Sequence, residues 1–572
     1  MKKMLLSMLT VAVLLGAANL YPAQSEMKPL VTVSFSGYDK LFANIGMIGK
    51  LGGNPDLGKD LEAMLKLMTQ GKGLAGLDTK QPWGAVLLTD GQEALVGYGF
   101  LPVTDLKQLM ELAKTNPQLA DTIKEDGGVY EIQIGSPLGP LATFFVTQKG
   151  KWAVIAKDKE ALGKAPADPL KLLGDLPTKY DLAVRATVKN LPQTYREQFI
   201  AQVQAGVEVG MQQMPGESDD EFAVRSNVAK QAMQQMTTMV NELDEVLLGW
   251  NVDQSTSSTY LDLEAIAQKG TKLADQFAQI KPGKTNFAGF LSPKAAVSGI
   301  WTGTLTDADV ARAKIALADV RKRAVKELEN QGLSEDEVKL AAQLLGDVFD
   351  VLQKTVENKQ GDGGLMLMLD PAALTLVAGG TIADGAKLEK VAKQLVDEIK
   401  KSDPEAAKSI KLDAETYEGI RFHTFSMPTP EPSMVPFVGD TLDAVVGIAD
   451  DKVLLAVGRD AAKTLKQVID GSKAAPGKEV PPMRLTVAAT PIAKFLAKAG
   501  EEDSVKATAA MVANTLEKAG GKDHVTITAT PIAKGIRVRL EVEEGLLKLL
   551  GSMGAMLEPG GMGGPGGAAP PE

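Results

Sequence analysis

The chain of 572 residues has no cysteine and only two histidines. The first absence excludes disulfides, thiol nucleophiles, iron–sulfur clusters and Cys-ligated zinc, and two imidazoles cannot build a three-histidine metal centre. A basic excess is missing too. With 62 Lys+Arg against 72 Asp+Glu the formal charge is -10, which argues against an electrostatic nucleic-acid binder. Beyond the N-terminus no run is long and apolar enough to span a bilayer. What remains, 44% apolar and 23% charged residues, is ordinary globular composition. At roughly 150 residues per domain the length suits about four domains.

The N-terminus reads as an export signal. Lys2 and Lys3 precede the apolar run Met4 to Leu15, and Ala23-Gln24-Ser25 supplies an A-x-S cleavage site before Glu26. Asn19, Pro22, Gln24 and Ser25 suit hydrocarbon poorly, so cleavage is expected over an uncleaved anchor. Losing residues 1–25 removes two lysines and no acid, taking the charge from -10 to -12. A lipid-bearing N-terminal cysteine is impossible, so a soluble periplasmic or secreted protein is expected, with no stable membrane insertion. It must be held together by packing, without disulfides.

Repetition organises the rest. Leu182-Ala183-Val184-Arg185-Ala186-Thr187 and Leu485-Thr486-Val487-Ala488-Ala489-Thr490 share the pattern L-x-V-x-A-T at an offset of 303. Val154 to Asp158 matches Ala456 to Asp460 at an offset of 302, each a strand ending in a basic residue and an Asp placed to cap a helix. Tyr130-Glu131 and Tyr417-Glu418 give 287. A duplication is expected, with halves near 26–282 and 283–556, each made of two β-α-α-β-β-α pseudo-repeats. The units are 26–176, 177–282, 283–478 and 479–556, with strand-rich insertions at 128–163 and 415–470. Ser218 to Glu221 and Ser334 to Glu337 are S-x-x-E capping boxes at the second helix of two helix pairs. Asp90-Gly91 suits a hairpin turn. The fold class expected is α+β, antiparallel sheets with long helix pairs packed on one face. The Gly/Pro-rich tail, 557–572, is expected to be disordered.

Motifs that suggest chemistry fail on context. Gly283-Lys284-Thr285 resembles the end of a P-loop, but Ala278 stands where its first glycine is needed, and the order is helix then strand. Gly71 to Gly76 spells G-x-G-x-x-G after a helix, where it reads as a helix C-cap and loop. Ser25-Glu26-Met27-Lys28 straddles the cleavage site, without the partner motifs of a penicillin-binding enzyme. His423 and His524 lie in strands, no G-x-S-x-G elbow exists, and a packed or half-exposed imidazole is expected. Asp219-Asp220-Glu221 and Glu335-Asp336-Glu337 suit helix N-termini. Met233, Met236 and Met239 could hold Cu(I), but filling a helix-pair core is the expected role. Arg321-Lys322-Arg323 reads as a solvated face. No catalytic, cofactor-binding or metal residue is assigned.

The stretch Gly76-Leu77-Asp78 leading to Pro82-Trp83-Gly84 enters a strand. Together with the signal peptide, the pseudo-repeats and the Gly/Pro tail, it resembles a group of uncharacterised exported proteins of planctomycete-type bacteria. What the resemblance implies is an extracytoplasmic address and no assigned activity. Three functions then compete. The first is a non-enzymatic binding or scaffold module of the cell envelope, with an envelope protein as partner. The second is a carrier of an apolar small molecule between helix pairs and sheets. The third is an envelope hydrolase using an Asp/Glu pair.

Overall fold

The computed structural model describes residues 27–557, except 93, 137–138, 215–216, 218, 331–333 and 501. The expected signal peptide, the Pro215-Gly216 turn with Ser218, Gly332 and the tail from 558 on lie outside the described residues. The chain is 45% helix and 32% strand, with a large antiparallel sheet, so the α+β class holds. Contacts divide it into two units, one ending at Ala274 and taking in Leu547 onwards, the other running from Asp275 to Leu546.

The first unit contains β1 (Lys28–Phe35), β2 (Trp83–Thr89), β3 (Leu95–Pro102), β4 (Ile123–Asp126), β5 (Val129–Ser136), β6 (Gly139–Lys149), β7 (Trp152–Ala156), β8 (Leu182–Ala186), β9 (Leu243–Asp253) and β10 (Ser258–Ala267). Their order across the sheet is β10-β9-β8-β1-β2-β3-β7-β6-β5-β4. Helices α1 (Tyr38–Leu51) and α2 (Leu57–Met68) join β1 to β2, and α3 (Leu106–Ala113) follows β3. Helices α4 (Gln193–Gly210) and α5 (Asp219–Glu242) join β8 to β9. One sheet face is closed by short helices between Lys159 and Lys179, with Val86, Phe100 and Val154 in the cluster. On the other face Leu106 and Met110 of α3 cover Tyr130, Ile132 and Ile134 of β5.

The second unit contains β11 (Gly283–Thr285), β12 (Val297–Thr304), β13 (Gln360–Asp370), β14 (Ala373–Thr381), β15 (Ile410–Tyr417), β16 (Ile420–Pro428), β17 (Thr441–Ile448), β18 (Lys452–Gly458), β19 (Lys478–Val480), β20 (Met483–Ala488), β21 (His524–Ile532) and β22 (Gly535–Val542). The order is β22-β21-β20-β12-β13-β14-β18-β17-β16-β15, with β11 and β19 forming a separate pair. Helices α6 (Asp307–Asn330) and α7 (Glu335–Glu357) join β12 to β13, and α8 (Gly385–Ser402) follows β14. Helix α9 (Ala461–Ala474) follows β18, and α10 (Ala489–Ala499) and α11 (Asp503–Glu517) join β20 to β21. Leu465 and Val468 of α9 close one face against Phe287, Phe290, Ile300, Phe422 and Leu454.

Local signals act as their chemistry requires. Ser334 and Glu337 form the reciprocal capping box at α7, with Ser334 N donating to the Glu337 carboxylate at 2.8 Å. Asp158 caps the next helix by accepting from Ala161 N at 2.7 Å. Its counterpart Asp460 does not. It sits at the N-cap of α9 in the left-handed region, φ 58°, and its side chain makes no cap bond. The Tyr130/Tyr417 correspondence also fails, because Tyr130 is the second residue of β5 and Tyr417 the last of β15. Repeated dipeptides carry too little information to fix a register. Packing of the long helix pairs is uneven: α7 buries Leu344, Phe349 and Val351, whereas no residue of α4 is buried. Phe199, Ile200, Val203 and Val207 fall on one side of α4 with Val209 away from it, and Ile200, Val203 and Val207 are half-buried while Phe199 and Val209 are exposed, so the stripe is only partly covered.

Candidate functional site

The polar group that best combines ligand-type side chains lies in the second unit. Glu389 projects from α8, His423 from β16 and Asp413 from β15, and one ligand atom of each lies within 4.8 Å of the others. Their placement follows from local structure. Asp384 caps α8 by accepting from Lys387 N at 3.0 Å, which puts Glu389 in the second turn beside the buried Val391. A bulge between Lys411 and Glu415 shifts the β15–β16 register, and Asp413 within it is left-handed, φ 49°. That bulge turns the Asp413 amide toward the ring, and its N–H donates to His423 Nδ1 at 3.1 Å.

Electrostatics decides what this group can do. Lys393 Nζ lies 2.7 Å from Glu389 Oε1 and 3.0 Å from Asp413 Oδ2, in the position a bound cation would take. Arg421 Nε is 2.6 Å from Glu389 Oε2; its N–H is not aligned for a hydrogen bond, so the contact is an ion pair. Two carboxylates thus face two cations, and the cluster is neutral. The lysine holds the Asp413 carboxyl below its usual range, and the two acids push the Lys393 ammonium up. Burial pulls the His423 imidazole below its ordinary value, more strongly than Asp413 and Glu389 push it up. His423 is 1% exposed, its Nδ1 lone pair is taken by an amide, and its buried Nε2 has no hydrogen-bond partner among the described residues. A metal would have to displace Lys393 and a hydrogen bond, and a general base would need a substrate that cannot reach the ring. The arrangement suits a latch between α8 and the β15–β16 hairpin.

Other residues singled out in the sequence separate. His524 Nδ1 lies 2.9 Å from Glu543, far along the chain from His423, while the buried Asp523 accepts from Thr490 N at 2.6 Å. Gly283-Lys284-Thr285 forms β11, and Thr285 donates to Asp362 at 2.7 Å. Gly71, Gly73 and Gly76 all take positive φ in the loop after α2. Met233 and Met236 are half-buried and Met239 is exposed, so the run is not a core stripe throughout. Arg321, Lys322 and Arg323 are exposed, as expected, with Arg321 3.5 Å from Asp350.

Two further features had no signal in the sequence. Asp181 in the first unit is fully buried. It accepts from Ser36 Oγ (3.1 Å), Asn44 Nδ2 (2.7 Å) and Val252 N (2.8 Å), and pairs with Lys40 (2.9 Å). A cleft of about 790 Å³ opens between α1 and α2, floored by Phe42, Gly46, Gly58 and Leu65 and bordered by Lys50, Lys66, Asp39 and Glu62. Burial and Glu62 push the Tyr38 phenol there up to about 12, so it stays protonated.

The second unit also has an apolar sheet face. Residues directly opposite in antiparallel strands share a face. The row Ile410, Phe425, Ala444, Val457, Leu376, Leu367, Val297, Val487, Val525 and Val542 therefore crosses all ten strands without a polar side chain. A neighbouring row, Leu540, Ile527, Leu485, Gly299, Leu365, Ala378, Leu455 and Val446, ends on His423. Trp301 is 47% exposed, Leu376 37%, and Leu455 and Met483 38% each. In the first unit Leu263, Leu248, Val184 and Val33 form a similar row, the first three exposed. Among the described residues no helix is long and apolar enough to cross a membrane. No protein family, no curated protein and no solved structure matches the chain.

Proposed function

We propose that the protein is an exported, non-enzymatic binding module of the cell envelope. The observation that carries this reading is a contrast. The polar cluster around His423 is neutralised from within and closed to substrate, whereas large apolar side chains on interior strands are open to solvent. Exposed apolar patches of this kind mark interaction surfaces. The hydrolase reading has least support. Lys393 sits between the carboxylates of Glu389 and Asp413, and the pair Asp262 and Glu264 is buried against the Tyr180 hydroxyl, at 3.0 and 3.2 Å.

A duplication accounts for the architecture. Each unit runs its ten main strands in the same order, and a helix pair follows β1, β8, β12 and β20 in turn, which supports four pseudo-repeats of one strand–helix–helix–strand–strand plan. Export rests on the N-terminal signal and on the resemblance to exported planctomycete-type proteins. N-terminal sequencing of the mature protein tests it, with Glu26 expected as the first residue.

The binding reading is tested by retrieving the tagged full chain from its native envelope and identifying retained proteins and small molecules by mass spectrometry. A partner retained in fixed proportion and lost in a Leu376→Glu, Leu263→Glu double variant is expected. Equal retention by the folded variant would refute it.

A further inference from the structure

Helix α4 of the first unit presents an uncharged face with nothing over it, and we propose that it pairs antiparallel with the α4 of a second copy, about a two-fold axis near Gln202. At about 100° per residue, Tyr195, Phe199, Gln202, Gly206 and Val209 fall within an arc of about 80°. Tyr195 is 37% exposed, Phe199 47% and Val209 73%, and Gln202 and Gly206 are exposed too. The half-buried row of Arg196, Ile200, Val203 and Val207 is centred about 110° further round, so the open face is a separate one. Its frame is fixed at both ends. Arg196 Nε donates to the Leu191 carbonyl at 3.0 Å at the start of α4. At the other end Arg225 of α5, paired with Glu217, donates to the carbonyls of Gly210 and Gln212 at 2.9 and 2.8 Å. A face held in place beforehand loses little freedom on docking.

Three features select a copy of this chain as the occupant. First, the face is complementary to itself. Phe199 stands three residues before Gln202 and Gly206 four after, Tyr195 seven before and Val209 seven after. A two-fold axis across an antiparallel helix pair sets each flank against the same flank of the copy. Phe199 and Gly206 share a flank, about 20° apart, so the ring falls on the partner's Gly206 and the two Gln202 amides meet at the axis. Second, Gly206 has no use inside its own chain. Glycine weakens a helix interior, yet a Cβ added at Gly206 would meet nothing within 4 Å. Against a copy, its bare backbone admits the Phe199 ring. Third, the face carries no charge. The formal charge is -10, so two copies repel wherever their charged surfaces meet. The charged residues of α4 are Arg196, Glu197 and Glu208, and all lie about 100° or more from the centre of the face. That leaves an acidic chain one helix face it can turn to itself.

The test is sedimentation of the full chain across a concentration series, beside disulfide trapping in a chain that has no cysteine of its own. A monomer–dimer equilibrium is expected. Gln202→Cys should oxidise to a covalent dimer, since Cα atoms at the axis of close-packed helices come within disulfide reach. Gln204→Cys, exposed on the opposite side of α4, should not. Gln202→Glu, folded by circular dichroism, should weaken the dimer about a hundredfold by setting two like charges together, and an equimolar mixture with Gln202→Lys should restore it. Gly206→Leu should weaken the dimer as well, while the melting temperature of the dilute monomer stays the same or rises. A chain monomeric at every concentration, equal trapping by the two cysteines, or a dimer indifferent to Gln202→Glu overturns the proposal. So does a chain that never dimerises but loses an envelope protein in Gln202→Glu: the occupant is then another protein, and the binding reading stands without this interface.

Discussion

The two units place different chemistry at corresponding points of one strand order. Counted from the hairpin turn, β5 presents Tyr130, Ile132 and Ile134 to α3, and the patch is a plain apolar cluster. In the second unit β16 begins Ile420, Arg421, Phe422, His423, so the fourth residue is an imidazole where β5 has Ile132. The helix opposite carries Glu389 and Lys393. The same scaffold therefore tolerates either an apolar or a charged joint. A charged joint survives in a buried setting only when each charge meets an opposite one, and the four groups around His423 satisfy that condition.

The comparison can be broken in several ways. The largest effect is expected at Asp181, the first unit's own buried charge. Asp181→Ala leaves Asn44, Ser36, Lys40 and the Val252 amide without their acceptor, and should cost about 3–5 kcal/mol, read by urea unfolding with hydrogen exchange in β1 and β9. Exchanging the joints comes next. Ile132→His sets an unpartnered imidazole in the apolar cluster and should cost about 2–4 kcal/mol. His423→Ile should cost only about 1 kcal/mol, because the Asp413 amide it frees is near solvent. Equal costs in the two unfolding curves would show that the joints are not distinct.

Acid should separate the units further. Burial holds the folded His423 below the ordinary imidazole value. Above about pH 6.5 it is neutral folded and unfolded, and has no effect on pH dependence. As pH falls below that, the unfolded chain takes up the proton first, so stability drops by at most about 1.4 kcal/mol per pH unit until the folded ring titrates too. Asp413, held low by Lys393, adds a loss only below about pH 4. Protonation also makes Nδ1 a donor facing the Asp413 N–H, which breaks the bond that holds the bulge. A thermal melting series from pH 8 to 5 should show the drop in the parent and not in His423→Ile. The smallest effect contrasts two caps. Asp158→Ala should cost about 1 kcal/mol, whereas Asp460→Gly should gain about 0.5–1 kcal/mol, since glycine takes φ 58° without strain and no cap bond is lost. A loss at Asp460 in the melting temperature would contradict the geometry.

Much of the local structure was legible. The capping box at Ser334, the turn at Asp90-Gly91, the strand–helix–helix–strand order and the solvated Arg321–Arg323 all depend on residues within one or two turns of each other. The site was not legible. Glu389 and His423 are 34 positions apart in the sequence, and they meet only because α8 crosses the strand on which His423 sits. The bulge that presents the Asp413 amide has no sequence marker, and Asp181 looks like any acid ahead of a strand.

The composition by itself determined that the chain holds no disulfide, thiolate or three-histidine metal centre, since those need cysteines and a third imidazole. Its apolar periodicity determined which segments become strands and helices, because those patterns act over a few residues. The tertiary structure alone decided which charges are neutralised and which apolar side chains stay open. Both depend on what packs above a residue, and packing joins segments hundreds of positions apart.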